Sequence, residues 1–119
     1  MEKVNLSDKF MKFNDYWNPK IVGELNGQYV KLVKFKGEFI WHHHEQEDEL
    51  FLVVKGTLRM KLGDKDVVIN EGEFFIVPRG VEHQPVADGE VHVLLFEPAT
   101  TLNTGNIRNE RIVERLKSI

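Results

Sequence analysis

The sequence predicts an all-β domain, a sandwich or small barrel of short strands. Apolar and polar residues alternate with the period of two that is typical of strands through much of residues 21–98. Glycine, asparagine and aspartate form turn signals between these runs, about every eight to twelve residues. The chain of 119 residues is long enough for one hydrophobic core and too short for two. We therefore expect a single domain with a core barrel over residues 21–98.

Charge and composition narrow the classes of partner. The formal net charge is -3, and a protein that binds nucleic acid electrostatically needs a basic face, so we expect no nucleic-acid partner. The chain has no cysteine, which excludes disulfides and thiolate metal sites. No apolar run approaches the roughly 18 residues of a membrane span, and the N-terminus lacks a signal-like stretch. The sequence therefore predicts no membrane partner and a cytoplasmic location.

An N-terminal helix is predicted over residues 7–17, ending before Pro19. Its apolar residues recur at the spacing of one helical face, and they are Leu6, Phe10, Phe13 and Trp17. We expect this helix to cover one end of the barrel or to contact a partner subunit. In the alternative interpretation, Tyr16 or Trp17 borders a pocket.

A hairpin follows, because Asn26-Gly27 separates two extended runs, Ile21–Leu25 and Gln28–Phe35. This dipeptide favours the type I′ turn, whose twist suits antiparallel strands. The second run carries apolar residues on both of its faces, so both faces must be partly covered.

The run Leu50–Val54 is apolar throughout. We expect Phe51 and Val53 to face the barrel interior, which places Leu50, Leu52 and Val54 on the outside. An outer face of an antiparallel sheet is normally polar. The pattern therefore predicts a covering element or, as the preferred interpretation, a homodimer formed by outer sheet faces.

The remaining elements are short. A C-terminal helix is predicted over residues 109–118, because apolar residues recur there at helical spacing. Pro78 ends the predicted strand that immediately precedes it in the sequence, since proline has no N–H to donate to a β-ladder. The predicted strands are Leu58–Leu62, Asp66–Ile69, Glu73–Val77 and Val91–Phe96.

The most informative stretch runs from Gly37 to Glu49 and contains three consecutive histidines. If it forms a strand that returns through an acidic turn, His42 and His44 lie on one face, because alternate side chains of a strand point the same way. His43 then points the other way. Two imidazoles with one carboxylate suit iron(II), manganese, zinc or nickel. Taken alone, the three histidines also fit an exposed strand end.

A later segment, Gly72 to His83, supplies another imidazole. Together with Glu49 it makes a metal site the preferred interpretation. Asp48 is the reserve carboxylate if the acidic turn is one residue shorter than expected. The other acidic residues of the turn are interpreted as a solvated loop.

These two stretches resemble the two signature motifs of the cupin superfamily. The first is similar to Gly-x(5)-His-x-His-x(3,4)-Glu-x(6)-Gly, with four residues rather than five between its first glycine and first histidine. The second is similar to Gly-x(5)-Pro-x-Gly-x(2)-His-x(3)-Asn. It matches at Pro78, Gly80 and His83, with Ala87 in place of the asparagine. That asparagine is not a metal ligand, so its replacement bears on packing.

The resemblance to small single-domain cupins implies a double-stranded β-helix, or jelly-roll barrel, here with short terminal helices. It also implies one divalent metal ion per chain, which is Fe, Mn, Zn, Ni or Co. The ligands that it implies are His42, His44, Glu49 and His83.

Five further residues are candidates for substrate contact, each with a structural alternative. The guanidinium of Arg79 can clamp an anionic substrate or lie in water as part of a turn. His92 can support the site from the last strand or be a satisfied sheet residue. The apolar candidates can line a pocket or pack in the core, and they are Phe35, Phe51 and Met60.

Three hypotheses for function follow. The first is a metal-dependent isomerase, lyase or dioxygenase that acts on a small oxygenated metabolite, because a divalent ion acidifies protons beside carbonyl groups and activates water. The second is a non-catalytic protein that binds a small molecule or a metal as a sensor or store. The third is a structural protein with an empty site. No general base can be singled out from the sequence.

Overall fold

The computed structural model describes all 119 residues, with one short helix and eight strands. The helix, α1, is neither long nor apolar enough to cross a membrane. The elements in chain order are α1 (Leu6–Phe10), β1 (Lys20–Leu25), β2 (Gln28–Glu38), β3 (Glu49–Lys55), β4 (Leu58–Lys61), β5 (Asp66–Ile69), β6 (Phe74–Val77), β7 (Gln84–Pro98) and β8 (Lys117–Ser118). The predicted all-β class is confirmed.

Strands β2 and β7 form a long antiparallel pair at the centre of the fold. The first part of β7 also pairs with β4, and the part after the exposed bend at 88–90 pairs with β3. Strand β6 joins β3, β5 joins β4, and β1 joins β2. The result is a jelly-roll sandwich. Strand β7 is longer than the predicted Val91–Phe96, because the chain bends at Asp88-Gly89 without leaving the sheet.

The predicted hairpin between β1 and β2 is confirmed. Asn26 and Gly27 have φ angles of 50° and 77°. Two successive positive φ values are those of the type I′ turn, which asparagine and glycine tolerate better than other residues.

Inward side chains of the strands form one apolar core of twelve buried residues. Among them, Phe51 and Val53 face inward as predicted, whereas Leu50, Leu52 and Val54 are only half-buried on the outer face. Ala87 is also fully buried in this core, so the departure from the cupin motif is a matter of packing.

The N-terminal helix is shorter than the predicted 7–17. Asn5 caps α1 through its side-chain oxygen, and the helix ends at Phe10. Beyond it, the Lys34 Nζ donates to the carbonyl of Phe13 at 2.6 Å, and the backbone N–H of Trp17 donates to the carbonyl of Lys34 at 2.9 Å. These bonds to β2 replace the helical ones. Helical spacing was misleading here because an irregular segment buries the same aromatic side chains.

The predicted C-terminal helix over 109–118 is wrong. Residues 117–118 form β8, which pairs in parallel with β1, and the Ile119 N–H donates to the carbonyl of Ile21 at 3.0 Å. Earlier in the segment, the Asn103 side chain bonds the carbonyl of Arg111 and the N–H of Val113, both at 2.8 Å. A helix of ten residues is marginal by itself, so these tertiary bonds prevail.

Residues 99–113 form a segment that we call the C-terminal strap, and it lies against the histidine-rich stretch. The Asn106 N–H donates to the carbonyl of His43 at 3.0 Å, and the His43 N–H donates to Asn106 Oδ1 at 2.8 Å. Thr100 Oγ1 donates to Glu47 Oε2 at 2.9 Å. The strap therefore fixes the backbone of the segment that carries two of the predicted metal ligands.

Candidate metal centre

The structure brings together the four residues for which a metal role was predicted. His42 and His44 follow β2, Glu49 is the first residue of β3, and His83 directly precedes β7. All four are buried, with at most 4% of each residue exposed. One ligand atom from each lies within 4.8 Å of those of the other three. The reserve carboxylate, Asp48, is exposed and instead accepts from the N–H of Arg79 at 2.9 Å.

Backbone hydrogen bonds tie the two histidine-bearing segments together. The His42 N–H donates to the carbonyl of His83 at 3.0 Å, and the His83 N–H donates to the carbonyl of His42 at 2.9 Å. The Gly80 N–H donates to the carbonyl of His44 at 2.7 Å. Apart from this bridge, residues 39–48 are irregular rather than the predicted strand. The two histidines converge because of these bonds and not because of a regular pleat.

Two of the imidazoles have their tautomer fixed by the backbone. The Nδ1 of His42 lies 2.9 Å from the carbonyl oxygen of Ile40, and the Nδ1 of His83 lies 2.9 Å from that of Val81. A carbonyl can only accept, so Nδ1 carries the hydrogen and Nε2 keeps its lone pair. This arrangement orients a histidine for metal binding.

The donor atoms of the cluster lack the hydrogen bonds that burial normally requires. His44 Nε2 lies 3.1 Å from Glu49 Oε1, and His83 Nε2 lies 3.7 Å from the same oxygen. Neither contact has the geometry of a hydrogen bond, and all three atoms are buried without a partner. Buried polar atoms without partners are costly, and a divalent cation would satisfy them. Imidazole nitrogens with one carboxylate are suitable ligands for such an ion.

Burial and mutual contacts set the charges of the cluster. Burial, with the neighbouring His83, lowers the pKa of His42 to about 4, so this imidazole is neutral at pH 7. Burial also opposes charge on His44, but the Glu49 carboxylate raises its pKa above the ordinary value. For Glu49, burial alone would raise the pKa, whereas the neighbouring Glu97 and the two histidines hold it well below the ordinary value. The cluster therefore keeps a carboxylate charge in its centre.

A buried ion pair, which was not predicted, lies behind Glu49. Lys31 Nζ is 2.7 Å from Glu97 Oε1, and both side chains are 2% exposed. Burial and the charge of Glu49 raise the pKa of Glu97 well above its ordinary value. A signal was present in the sequence, because Glu97 continues the inward series of β7 after Val93 and Leu95.

A cavity with about 340 Å³ of empty volume, part of it open to solvent, lies beside His42 and Glu49. Two predicted substrate contacts, Phe35 and Phe51, line it. Trp17 lines it as well, in agreement with the alternative interpretation of the N-terminal segment. Phe39 and Asn103, which were not among the candidates, complete this part of the wall.

The other three candidates lie elsewhere. Met60 is fully buried in the core and does not line the cavity. Arg79 is exposed in the turn before His83. His92 lies on the outer side of the sheet, where it stacks on Phe10 at 4.5 Å and pairs with Glu90 at 2.8 Å. The sequence could not separate these residues from the cavity wall, because it does not show which side chains the fold brings together.

Comparison with known proteins agrees with the geometry. A solved cupin-2 domain protein from Shewanella frigidimarina is 42% identical, with a TM-score of 0.79 over 80% of this chain and 93% of its own. Protein YdbB of Bacillus subtilis is 38% identical over 64 residues, which are 53% of this chain and 57% of YdbB. The 3-hydroxyanthranilate 3,4-dioxygenase of Xenopus tropicalis is 30% identical over 101 residues, 79% of this chain but 36% of the dioxygenase.

The chain therefore spans less than two thirds of either curated relative. The family model of the cupin domain matches residues 30–97, which is more than half of the chain and includes all four residues of the cluster. With this match and the jelly-roll fold, the chain belongs to the cupin domain family.

Proposed function

We propose that the protein is a metal-dependent enzyme of the dioxygenase type that acts on a small oxygenated metabolite. The observation that carries the proposal is the set of buried donor atoms that converge without hydrogen-bond partners beside a cavity. His42, His44, Glu49 and His83 would hold one divalent ion, which is Fe, Mn, Zn, Ni or Co.

The chain's own groups prepare this site. His42 and His83 present Nε2, because their Nδ1 hydrogens are committed to backbone carbonyls. The carboxylate of Glu49 would partly neutralise a cation, and the cavity wall beside it is mostly apolar. A divalent ion bound there supplies Lewis acidity and, if it is iron, redox chemistry. The apolar wall strengthens electrostatic interactions between the cluster and a ligand.

Similarity to the dioxygenase from Xenopus tropicalis supports this reaction type over an isomerase or a lyase. One observation favours a second candidate, a non-catalytic protein that binds a small molecule. Beyond His42 and Glu49, the only cavity residue with a polar side chain is Asn103. Its amide is engaged by Arg111 and Val113, so no separate general base faces the cavity.

Metal content tests the ligand assignment, with a neighbouring histidine as the matched control. His44→Ala removes a buried donor of the cluster, whereas His43→Ala removes a side chain directed towards Glu45 and Glu82. We expect about one equivalent of divalent metal per chain in the wild type and in His43→Ala. For His44→Ala we expect an affinity at least about tenfold lower. Equal metal content in both variants would contradict the assignment.

Turnover separates the two candidate functions. Iron-loaded protein is incubated with a panel of catechols, enediols and 2-hydroxy acids while oxygen uptake is recorded. Uptake that requires a panel compound, and that His44→Ala abolishes, supports the dioxygenase. Stabilisation by a compound without uptake, isomerisation or cleavage supports the binding protein.

We also propose a homodimer formed through the outer face of β2, β7, β3 and β6. Support comes from two rows of apolar residues that lie in register across these four strands. One row is Val30, Phe96, Leu50 and Ile76, and the other is Leu32, Leu94, Leu52 and Phe74. Leu32 is itself buried under Phe10 and Phe13 of the N-terminal segment, so the free part of the face lies towards β3 and β6. Phe74 and Ile76 are 61% and 48% exposed, and apolar faces of this kind mark interaction sites.

A further inference from the structure

The C-terminal strap lies between solvent and the candidate metal site. A Cβ atom at Gly105 would lie 3.0 Å from Cδ2 of His42, and Asn103 lines the cavity beside His42 and Glu49. Of the empty volume of this cavity, only about 30 Å³ can hold the centres of water molecules, which is room for about two waters. A hydrated divalent cation therefore cannot reach the buried donor atoms unless part of the protein moves.

The strap is the neighbour of the site that can move most easily. It contains no helix or strand, and its only buried residues, Thr101 and Thr104, are polar. None of its apolar residues packs against the buried apolar residues of the sheets. Several hydrogen bonds that hold it are exposed, such as that from Arg111 to the carbonyl of Glu38 at 3.2 Å. Segments with few buried apolar contacts and exposed hydrogen bonds open locally at low free energy.

A groove of about 370 Å³ separates the strap from the acidic turn, residues 45–48. Two carboxylate side chains of the turn, Glu45 and Glu47, line the groove. Its only basic side chain, Arg108, is paired with Glu114 at 3.2 Å. Because carboxylates raise the local concentration of cations, this side of the strap attracts a divalent ion.

His44 connects this groove with the candidate metal site. It lines the groove, and its Nε2 lies 3.1 Å from Glu49 Oε1. Both of its ring nitrogens are buried without a hydrogen-bond partner, whereas backbone carbonyls fix the rings of His42 and His83. A cation that arrives through the groove would therefore meet His44 first, and this is the imidazole that no hydrogen bond restrains.

A bound ion and the strap act on the same short backbone segment. His43 lies between two residues of the candidate site, His42 and His44, and exchanges two hydrogen bonds with Asn106 of the strap, at 3.0 and 2.8 Å. An ion that holds both neighbours also orders the backbone on which the strap docks. Because coupling between two binding events is reciprocal, docking of the strap and binding of the ion stabilise each other.

We propose that the C-terminal strap is the lid of the metal site. It opens locally on the side of the acidic turn to admit or release a divalent cation, and the bound ion holds it shut. The proposal rests on the proposed metal site and adds how access to that site is controlled.

Hydrogen exchange, followed by mass spectrometry, tests the lid in the wild type, once with a chelator and once loaded with zinc. Without metal, we expect the strap amides to exchange at least about tenfold faster than those of the β2–β7 pair, because the strap opens without unfolding of the sheet. Zinc should slow exchange of the strap amides at least about tenfold, which corresponds to about 1.4 kcal/mol of coupling.

The rates of zinc uptake and release test the gate. Asn106→Ala removes one of the two bonds to His43 and leaves every donor atom of the candidate site in place. We expect uptake, measured by stopped flow, and release to an excess of chelator to become faster together. Each should rise about fivefold, which corresponds to about 1 kcal/mol, the value of one hydrogen bond. The affinity, which is the ratio of the two rates, should stay within about twofold, whereas a merely structural role would change it.

Asn70→Ala is the matched control. Asn70 is exposed in the turn after β5, where its side chain accepts from Thr57 Oγ1 at 3.4 Å, and it does not contact the strap. This variant also loses one exposed hydrogen bond of an asparagine. Both zinc rates should equal those of the wild type.

Three results would each overturn the lid: strap exchange no faster than that of the β2–β7 pair, strap exchange that zinc does not slow, or unchanged zinc rates in Asn106→Ala. The metal site fails separately. If about one equivalent of zinc binds per chain and any of these results is found, the lid is rejected and the metal site stands. If the wild type holds no metal, both are rejected.

Discussion

His42 is neutral and buried, and this single residue makes the metal-free fold sensitive to acid. Its pKa is lowered to about 4 in the folded protein, against an ordinary value of 6.5. Above pH 6.5 the imidazole is neutral in both states and contributes no pH dependence. Below pH 6.5 the unfolded chain takes up a proton that the folded protein does not, so stability falls until about pH 4.

Urea unfolding in the presence of a chelator, at pH values between 6.5 and 4, measures this effect. Over this range, we expect the free energy of unfolding to fall by about 3 kcal/mol more in the wild type than in His42→Gln, because glutamine does not titrate. The difference between the two proteins isolates His42 from His44, whose raised pKa acts in the opposite direction. Identical pH profiles would show that His42 is not held neutral.

The candidate metal site could be predicted from the sequence because its spacing is local and its residue types are few. His42, His44, Glu49 and His83 meet as predicted from two short segments. The buried pair behind Glu49 was harder to predict from the sequence. Lys31 and Glu97 become partners only through the pairing of β2 with β7, and the sequence alone did not reveal that contact. The cavity wall was predicted only in part. In the sequence, wall residues such as Phe35 and Phe51 cannot be distinguished from ordinary core residues.

Among the elements, the C-terminal strap lies directly against the stretch that carries two residues of the candidate metal site. It passes the histidine-rich stretch at Gly105, which has a φ of 57°. A Cβ atom at this position would collide with the carbonyl oxygen of His43 and lie 3.0 Å from Cδ2 of His42. Glycine is therefore needed here for close approach as well as for its backbone conformation.

Gly105→Ala should destabilise the protein and weaken metal binding at the same time. The positive φ costs about 1 kcal/mol, and the collision with backbone atoms adds about 1–3 kcal/mol. Because the displaced groups belong to His42 and His43, we expect a metal affinity several-fold lower. Urea unfolding and metal titration measure the two effects.

Gly63→Ala is the matched control for this substitution. Gly63 has a φ of 92°, but a Cβ atom there meets nothing within 4 Å. This variant should show the conformational cost alone and retain its metal affinity. If both variants behave alike, the strap does not support the cluster.

The strands were more predictable than the helices for a physical reason. Asn26-Gly27 specifies its turn locally, and alternation fixes which face of β3 is buried. Helical spacing in short segments is weaker evidence, because a helix of this length gains little stability by itself. At both ends of the chain, bonds to β1 and β2 determined the conformation instead.

At the scale of the whole molecule, the outer apolar face, which is exposed at Phe74 and Ile76, makes the oligomeric state a direct test of the proposed homodimer. We expect light scattering to give twice the chain mass for the wild type. Ile76→Lys places a charge on the exposed β6 part of the proposed interface and should yield a monomer, because burial of an unpaired charge is costly.

Val68→Lys is the control for that experiment. Val68 is 55% exposed on β5, away from the two rows. Its substitution by lysine therefore changes charge and hydrophobicity about as much as Ile76→Lys does, but outside the proposed interface. The dimer should persist in this variant. A monomeric wild type, or dissociation in both variants, would contradict the proposed interface.

The backbone bridge between His42 and His83 forms late during synthesis of the chain. The two histidines continue the same end of the central antiparallel pair, His42 after β2 and His83 before β7, and these strands are distant in the chain. Pairings of this kind form slowly, since a long loop must close first. The four residues of the candidate site are therefore not assembled in a nascent chain until β7 has left the ribosome, and a metal ion held as proposed would bind late and could not guide the earlier steps of folding.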